Sequence, residues 1–187
     1  MEEAEIQRRV RAALEGHPER FAPVVEACTQ ALFNLAAKMT GSRQEAEEIV
    51  QETFYRAYRS LGKFDGRTRF LNWLCGIAVN VCRDEGKRHR RSDRSRSVED
   101  LVADPADSGA GAADERLAAR QEEARLRRCL LRLPEGQRAA ILLRYQEELS
   151  LAEVAGALRI GLSAAKMRVQ RGLDQLKLCL ERREAEP

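Results

Sequence analysis

The 187 residues, 43% hydrophobic and 34% charged, suffice for one domain of moderate size or two small helical ones. No apolar run approaches the ~20 residues that span a bilayer. The acidic start Met1-Glu2-Glu3-Ala4-Glu5 lacks the apolar core of a signal peptide, so a cytoplasmic protein without membrane insertion is expected. The net charge of +3 argues only weakly for a polyanionic partner, but its distribution says more. Between Arg83 and Arg96 lie Lys87, Arg88, Arg90, Arg91 and Arg94, against Asp84, Glu85 and Asp93. Such a run is the footprint of a nucleic-acid contact or, more plainly, a solvated edge.

In chain order, Ile6, Val10 and Leu14 predict a short amphipathic helix ending near Gly16. From Glu19, Phe21, Val24, Val25, Cys28, Leu32, Leu35, Ala36 and Met39 form a long stripe, with Pro23 in the first turn where it is tolerated. Thr40-Gly41 closes that helix. Ser42 and Glu45 form a capping box for the next, whose stripe is Ala46, Ile49, Val50, Phe54, Ala57, Tyr58 and Leu61. Gly62 and Asp65-Gly66-Arg67 break it, and Phe70, Trp73, Leu74, Ile77, Ala78 and Val81 mark a further helix. No strand periodicity is sustained, so the class is all-α.

Residues 93–114 are rich in Ser, Asp, Gly and Ala around Pro105 and read as a flexible linker between domains spanning 1–92 and 115–187. Beyond it, Leu117 to Leu133 is helical, and Pro134 suits the first turn of a helix carrying Ala139 to Leu143 and Tyr145. Ser150 and Glu153 form a second capping box, ahead of apolar Val154, Ala155 and Leu158. Gly161 is expected to supply the bend, and Ser163 to cap a helix carrying Lys166, Arg168 and Arg171, with Val169, Leu173 and Leu176 as core. That layout is a helix-turn-helix, whose second helix enters the DNA major groove. A plain αα-hairpin with a solvated basic face is the alternative.

Cys28, Cys75, Cys82, Cys129 and Cys179 are odd in number and widely spaced, which suits small buried hydrophobes in a reducing compartment. Cys75 and Cys82 sit two turns apart, ~10 Å along a helix, which excludes a bond between them. His17 and His89 are the only histidines, so no metal or cofactor is expected.

Two local patterns narrow the class. Residues 45–58, Glu-Ala-Glu-Glu-Ile-Val-Gln-Glu-Thr-Phe-Tyr-Arg-Ala-Tyr, closely resemble region 2.2 of bacterial sigma factors, and 70–80 resemble their promoter-melting helix. Leu133-Pro134-Glu135, Leu143-Arg144-Tyr145 and the helix-turn-helix resemble region 4. The chain is thus similar to the extracytoplasmic-function (ECF) group of the sigma-70 family, with regions 2 and 4 only.

That resemblance implies a promoter-specificity subunit without catalytic residues. Glu45, Glu48, Gln51, Glu52 and Phe54 would dock on the clamp helices of the largest catalytic subunit of core RNA polymerase, with further contact to the other large subunit. Lys63, Arg67 and Arg69 would hold phosphates of the −10 element. Asn80 would recognise the strand, and Arg83, Lys87 and Arg88, at spacing suited to one helix face, would steer its backbone. Trp73 is either core or a wedge against the duplex. Ser163, Ala164, Lys166, Met167, Arg168 and Arg171 would meet the −35 element, although Ala164-Ala165 replaces the family's frequent Thr-Val. Acidic Glu99, Asp100, Asp104 and Asp107 of the linker would mimic nucleic-acid charge near the RNA path, or simply aid solubility. The resemblance further implies control by an anti-sigma factor, often a membrane-bound one. An autonomous helix-turn-helix regulator is the competing reading, but residues 1–92 offer no ligand or phosphoacceptor pattern. An enzyme lacks any nucleotide-cradling loop, carboxylate pair or metal spacing.

Overall fold

The computed structural model describes residues 1–92 and 113–182, with side chains described at 1–88 and 119–182. Its elements are α1 (Glu3–Leu14), a 3-10 turn (Pro18–Phe21), α2 (Ala22–Thr40), α3 (Arg43–Arg59), a second 3-10 turn (Leu61–Lys63) and α4 (Phe70–Ser92). Then follow α5 (Ala113–Arg132), α6 (Glu135–Ile141), a π turn (Leu142–Gln146), α7 (Leu151–Leu158) and α8 (Leu162–Glu181). No strand occurs among the described residues, in keeping with the all-α reading. The acidic linker residues Glu99, Asp100, Asp104 and Asp107 lie outside the described residues, as do Arg94 and Arg96.

Local chemistry explains the first three helices. Gly41 ends α2 in the left-handed region at φ 81°, its N–H donating to the Ala37 carbonyl at 2.8 Å. Ser42 Oγ then accepts from the Glu45 amide at 3.3 Å and starts α3. The reciprocal half of the expected capping box is replaced, because the Ser42 amide donates to Thr40 Oγ1 at 3.2 Å. The α2 stripe is buried at Val24, Cys28, Leu32, Leu35, Ala36 and Met39. Leu14 departs from expectation, being 51% exposed at the last turn of α1, beyond the edge of the core. Tyr58 leans its ring on Phe21, centroids 5.6 Å apart, yet stays half exposed.

Helix α4 is buried on two sides, where the sequence signalled one. Phe70, Leu74, Ala78 and Val81 belong to the predicted stripe, but Cys75, Val79 and Cys82 are buried as well. The helix packs on α2 and α3, and through Asn72 and Gly76 it also meets α7 of the C-terminal half. Arg56 ties α3 to α4, donating from Nε to Glu52 at 2.7 Å and from Nη1 to Asp84 at 2.8 Å. Burial pushes the Cys28 thiol up to about 11 and Cys82 to about 12, and holds Cys75 well above the usual range. These three are therefore neutral packing groups at physiological pH.

The C-terminal half corrects several expectations. Cys129 of α5 and Cys179 of α8 form a disulfide, with Cα atoms 5.8 Å apart. Only the fold brings these positions together across 50 residues. The bend of the helix-turn-helix is made by Arg159, left-handed at φ 53°, while Gly161 has an ordinary extended backbone and is itself the N-cap of α8. Ser163 accordingly falls inside the first turn and caps nothing. Pro134 likewise is the N-cap of α6 rather than part of its first turn, and Tyr145 falls in the π turn with 58% of its surface exposed. The Ser150–Glu153 box forms in full: Ser150 Oγ accepts from the Glu153 amide, and the Ser150 amide donates to Glu153 Oε2 at 2.8 Å.

Closing a loop of this length removes about 4 kcal/mol of unfolded-state entropy on the chain-entropy account. Treatment with a dithiol is therefore expected to lower the urea midpoint of the wild type. A Cys129→Ser/Cys179→Ser variant should melt like the reduced chain and ignore the dithiol. Bonds from the Ser150 backbone and side chain, then Asn72, hold the Glu153 carboxyl below its ordinary value of 4.5. A depressed carboxylate stabilises the fold above that value and loses its contribution as pH falls through the folded pKa. The stability gap between wild type and Glu153→Gln should accordingly be largest near neutrality and close in acid, read by denaturation across pH.

Candidate functional site

The first surface is the outer ridge of α3. Glu48 and Gln51 are exposed, and Gln44 Nε2 donates to Glu48 Oε1 at 3.4 Å. The other predicted members are less available. Glu45 is half-buried at the cap, Glu52 is engaged by Arg56, and Phe54 turns its ring into the core. The ridge instead continues through Tyr55, 57% exposed and steadied by Arg59, whose Nη1 donates to the phenol oxygen at 3.3 Å. Tyr55 was missed among the candidates, although it stands at i+7 from Glu48 and i+4 from Gln51. An acidic and amide ridge with one aromatic anchor suits a basic protein partner.

The second surface runs from the turn at 63–69 into α4. Lys63, Arg67 and Arg69 are exposed. Asp65 Oδ1 accepts from the Arg67 amide at 3.0 Å while Gly66 takes φ 71°, so the turn is shaped by its own Asp-Gly pair. Trp73 packs at a tilt against Phe64 and Phe70, centroids 5.5 and 5.4 Å away, and lines a cleft of about 480 Å³. It is therefore partly core and partly cleft wall. Asn80 lines the same cleft, its Nδ2 donating to the Gly76 carbonyl at 2.8 Å. Arg83 and Lys87 follow on that side of α4, whereas Arg88 lies ~100° round the helix and pairs with Glu85 at 2.6 Å. Arg83 stands 4.0 Å from Glu135 of α6. The three cations thus do not form one row.

The third surface is the outer face of α8. Ser163, Ala164, Lys166, Met167 and Arg171 are exposed, whereas Ala165 is fully buried and Val169 nearly so. Arg168 is half-buried, with its guanidinium laid over Gly136 at the start of α6; a Cβ there would come within 3.1 Å of Nη1. Alanine at 165 thus lies under the helix, and only Ala164 of the Ala-Ala pair is on the exposed face. The N-terminus of the long α8, followed by exposed Lys166 and Arg171, has the chemistry to grip phosphates and reach base edges. The groove beside them is lined by Pro134, Gly136, Gln137, Ala164, Met167 and Arg171.

Among the described residues, no helix is long and apolar enough to cross a membrane, and no three His, Cys, Asp or Glu side chains gather as a metal would require. Residues 24–96 match the model of sigma-70 region 2, and residues 123–176 that of sigma-70 region 4. The ECF RNA polymerase sigma factor SigW of Bacillus subtilis is 30% identical over 186 residues, covering 92% of this chain and 95% of the relative. The RNA polymerase sigma factor CarQ of Myxococcus xanthus is 35% identical over 151 residues, covering 80% and 83%. Among solved structures, CnrH in complex with the cytosolic domain of CnrY superposes with a TM-score of 0.68 at 25% identity, covering 95% of this chain and 97% of that one. The sigma factor RpoE of Bartonella quintana, in complex with the anti-sigma factor NepR, shares the fold at a TM-score of 0.67 and 23% identity, covering 86% and 96%. Two family regions in order, and a relative matched over nearly its whole length, lead to one conclusion: the chain belongs to the ECF group of the sigma-70 family of RNA polymerase sigma factors.

Proposed function

We propose that this ECF sigma factor works through three separable surfaces. The α3 ridge of Glu48, Gln51 and Tyr55, bordered by Glu45, Glu52 and Phe54, docks on the clamp helices of the largest subunit of core RNA polymerase. The 63–69 turn and α4 take the −10 strand once it leaves the duplex. Helix α8 takes the −35 element through Ser163, Ala164, Lys166, Met167 and Arg171, with Arg168 reaching out from its seat on Gly136. The units concerned are residues 1–92 and 115–187, joined by 93–114. The chain acts as a transcription regulator of the cytoplasm rather than as an enzyme.

The observation that carries this reading is the placement of its surfaces. A polar ridge on α3 and a basic face on α8 are both exposed, and they fall in the two stretches matched by the models of regions 2 and 4. The cleft beside Trp73 and Asn80 suits a base-reading strand site, because unstacked bases offer flat faces to aromatic rings and polar edges to amides. Control by an anti-sigma factor follows from the family and accords with the complexes of CnrH and the Bartonella RpoE. A membrane-anchored form of that partner belongs to the same proposal.

Binding of the full chain to bacterial core RNA polymerase, with duplex DNA alone as the parallel titration, tests the reading. Tight polymerase binding with weak affinity for free DNA is expected; the reverse pattern would identify an autonomous DNA-binding regulator. Charge reversal at Glu48 together with Tyr55→Ala should weaken polymerase binding at least tenfold. Arg168→Glu/Arg171→Glu should instead abolish promoter-directed transcription while leaving polymerase affinity within about twofold. Equal loss of polymerase binding in that folded variant would overturn the division of labour.

A further inference from the structure

We propose that α1 is part of the strand-reading apparatus: it splints the 63–69 turn along its length, and Glu3 is the positioning residue that fixes where α4 begins. The proposal rests on the reading of that turn and α4 as the −10 surface. Helix α1 stands ahead of residues 24–96, the stretch that matches region 2. It nonetheless touches both the second 3-10 turn, which leads into 63–69, and α4, which leads out. Three side chains make the splint. Glu3 Oε1 accepts from the Phe70 amide at 2.8 Å. Gln7 stands over the middle of the turn, where a Cβ on Gly66 would lie 3.8 Å from its Oε1. Leu14 stands over the entry, its Cδ2 4.0 Å from a Cβ built on Gly62. At ~100° per residue, positions 3, 7 and 14 fall within about 40° of one another on the helix. One face of α1 therefore follows the turn from exit to entry.

Glu3 supplies what α4 lacks in its own sequence. The Arg69 carbonyl accepts from the Trp73 amide at 3.2 Å, so Arg69 stands at the N-cap, where a guanidinium has no lone pair to offer. The first turn of α4 holds no acidic residue either. The Glu3 carboxylate, which also receives Gln7 Nε2 at 3.0 Å, pairs the first amide and faces the positive end of a 23-residue helix. Ile6 and Val10 are buried and anchor α1 in the core, so the carboxylate is held in place. Phe70, whose amide it grips, is fully buried and packs edge-on against Phe64 at 5.1 Å. Its ring also meets Trp73 at 5.4 Å. Fixing the Phe70 backbone thus fixes the seat of Trp73, which lines the cleft with Thr68 and Asn80. Without the cap, α4 keeps its packed body and frays at its first turn, the part that adjoins the strand.

The test compares the full-length wild type with Glu3→Ala, Glu3→Gln and the control Glu2→Ala. Glu2 is exposed, carries the same charge one position away and makes no side-chain cap. Each chain is bound to bacterial core RNA polymerase and transcribes a duplex library randomised over the −35 and −10 positions, with the transcripts sequenced. Glu3→Ala should lower transcription about fivefold, as the loss of one cap implies. It should also flatten base preference in the −10 block while leaving the −35 block unchanged. Glu3→Gln keeps an acceptor oxygen and should restore at least half of both losses. Polymerase affinity should stay within about twofold throughout, because the α3 ridge is untouched. Trp73 is the only tryptophan, so its emission reports the same seat without DNA. Glu3→Ala should shift that emission to the red, whereas Glu3→Gln and Glu2→Ala should not.

Equal flattening of both blocks in Glu3→Ala would overturn the proposal, since a general loss of stability acts on both. An unchanged −10 preference, or the same loss in Glu2→Ala, would overturn it too. Unmoved Trp73 emission would show that Glu3 does not hold the start of α4. Failure of the functional reading would appear separately, as a wild-type chain that neither binds polymerase nor transcribes the library.

Discussion

The close approach of α4 and α7 is the constraint on which the rest of the molecule depends. It is possible only because Gly76 has no side chain and Ala157 almost none. Backbone proximity then brings Asn72 within reach of Glu153, whose carboxylate already receives the Ser150 amide. One side chain thus completes the cap of α7 and joins it to the N-terminal half. An exposed helix cap contributes about 1 kcal/mol, and a hydrogen bond to a charged group ~1.5–3 kcal/mol when buried. At a half-exposed seam the latter sits towards the lower end. The contact is therefore strong enough to bias an arrangement and weak enough to be exchanged for a ligand.

The same seam explains why α4 carries more buried residues than its periodicity advertises. A helix packed on one neighbour shows one stripe, and Phe70, Leu74, Ala78 and Val81 are that stripe. Cys75, Val79 and Cys82 are buried as well, on a helix that also contacts α7 some eighty residues away. Their identities are compatible with either burial or a crowded surface, so no local pattern distinguishes the two. Elements governed by neighbouring residues were legible. Ser150 and Glu153 stand three apart, and both halves of their capping box form. Elements governed by contacts across the fold were not. The Cys129–Cys179 bond is one example, and the left-handed turn at Arg159 is another, since a nearby glycine was the obvious candidate on local grounds.

The candidate site divides along the same line. Exposed cations at Lys63, Arg67, Arg69, Lys166 and Arg171 were readable because a charge in a polar segment has nowhere else to go. The direction of amphipathic side chains was harder. Phe54 and Tyr55 are neighbours, and the choice of which faces the partner depends on how α3 rolls against α2 and α4. The structure turns Phe54 inward and leaves Tyr55 on the ridge, where its hydroxyl is held by Arg59. Tyrosine suits that place better than phenylalanine, since it offers an apolar face and a polar tip to a partly wet interface.

Net charge bears on how these surfaces cooperate. With Lys and Arg exceeding Asp and Glu by only 33 to 30, the chain lacks the long-range field that drives strong DNA binding by itself. Several of its cations are further discounted by local partners: Arg56 by Glu52 and Asp84, Arg88 by Glu85, Arg67 by Asp65. Each proposed DNA surface is then a small basic patch on a nearly neutral body. Affinity must come from holding two such patches at once, so that binding of one raises the effective concentration of the other. Two patches free to move relative to each other would lose the benefit to conformational freedom. Docking on a large partner resolves the conflict, because the partner supplies the separation that the chain does not hold alone. Specificity is thereby tied to assembly: the patches read a promoter well only when something else has set them apart.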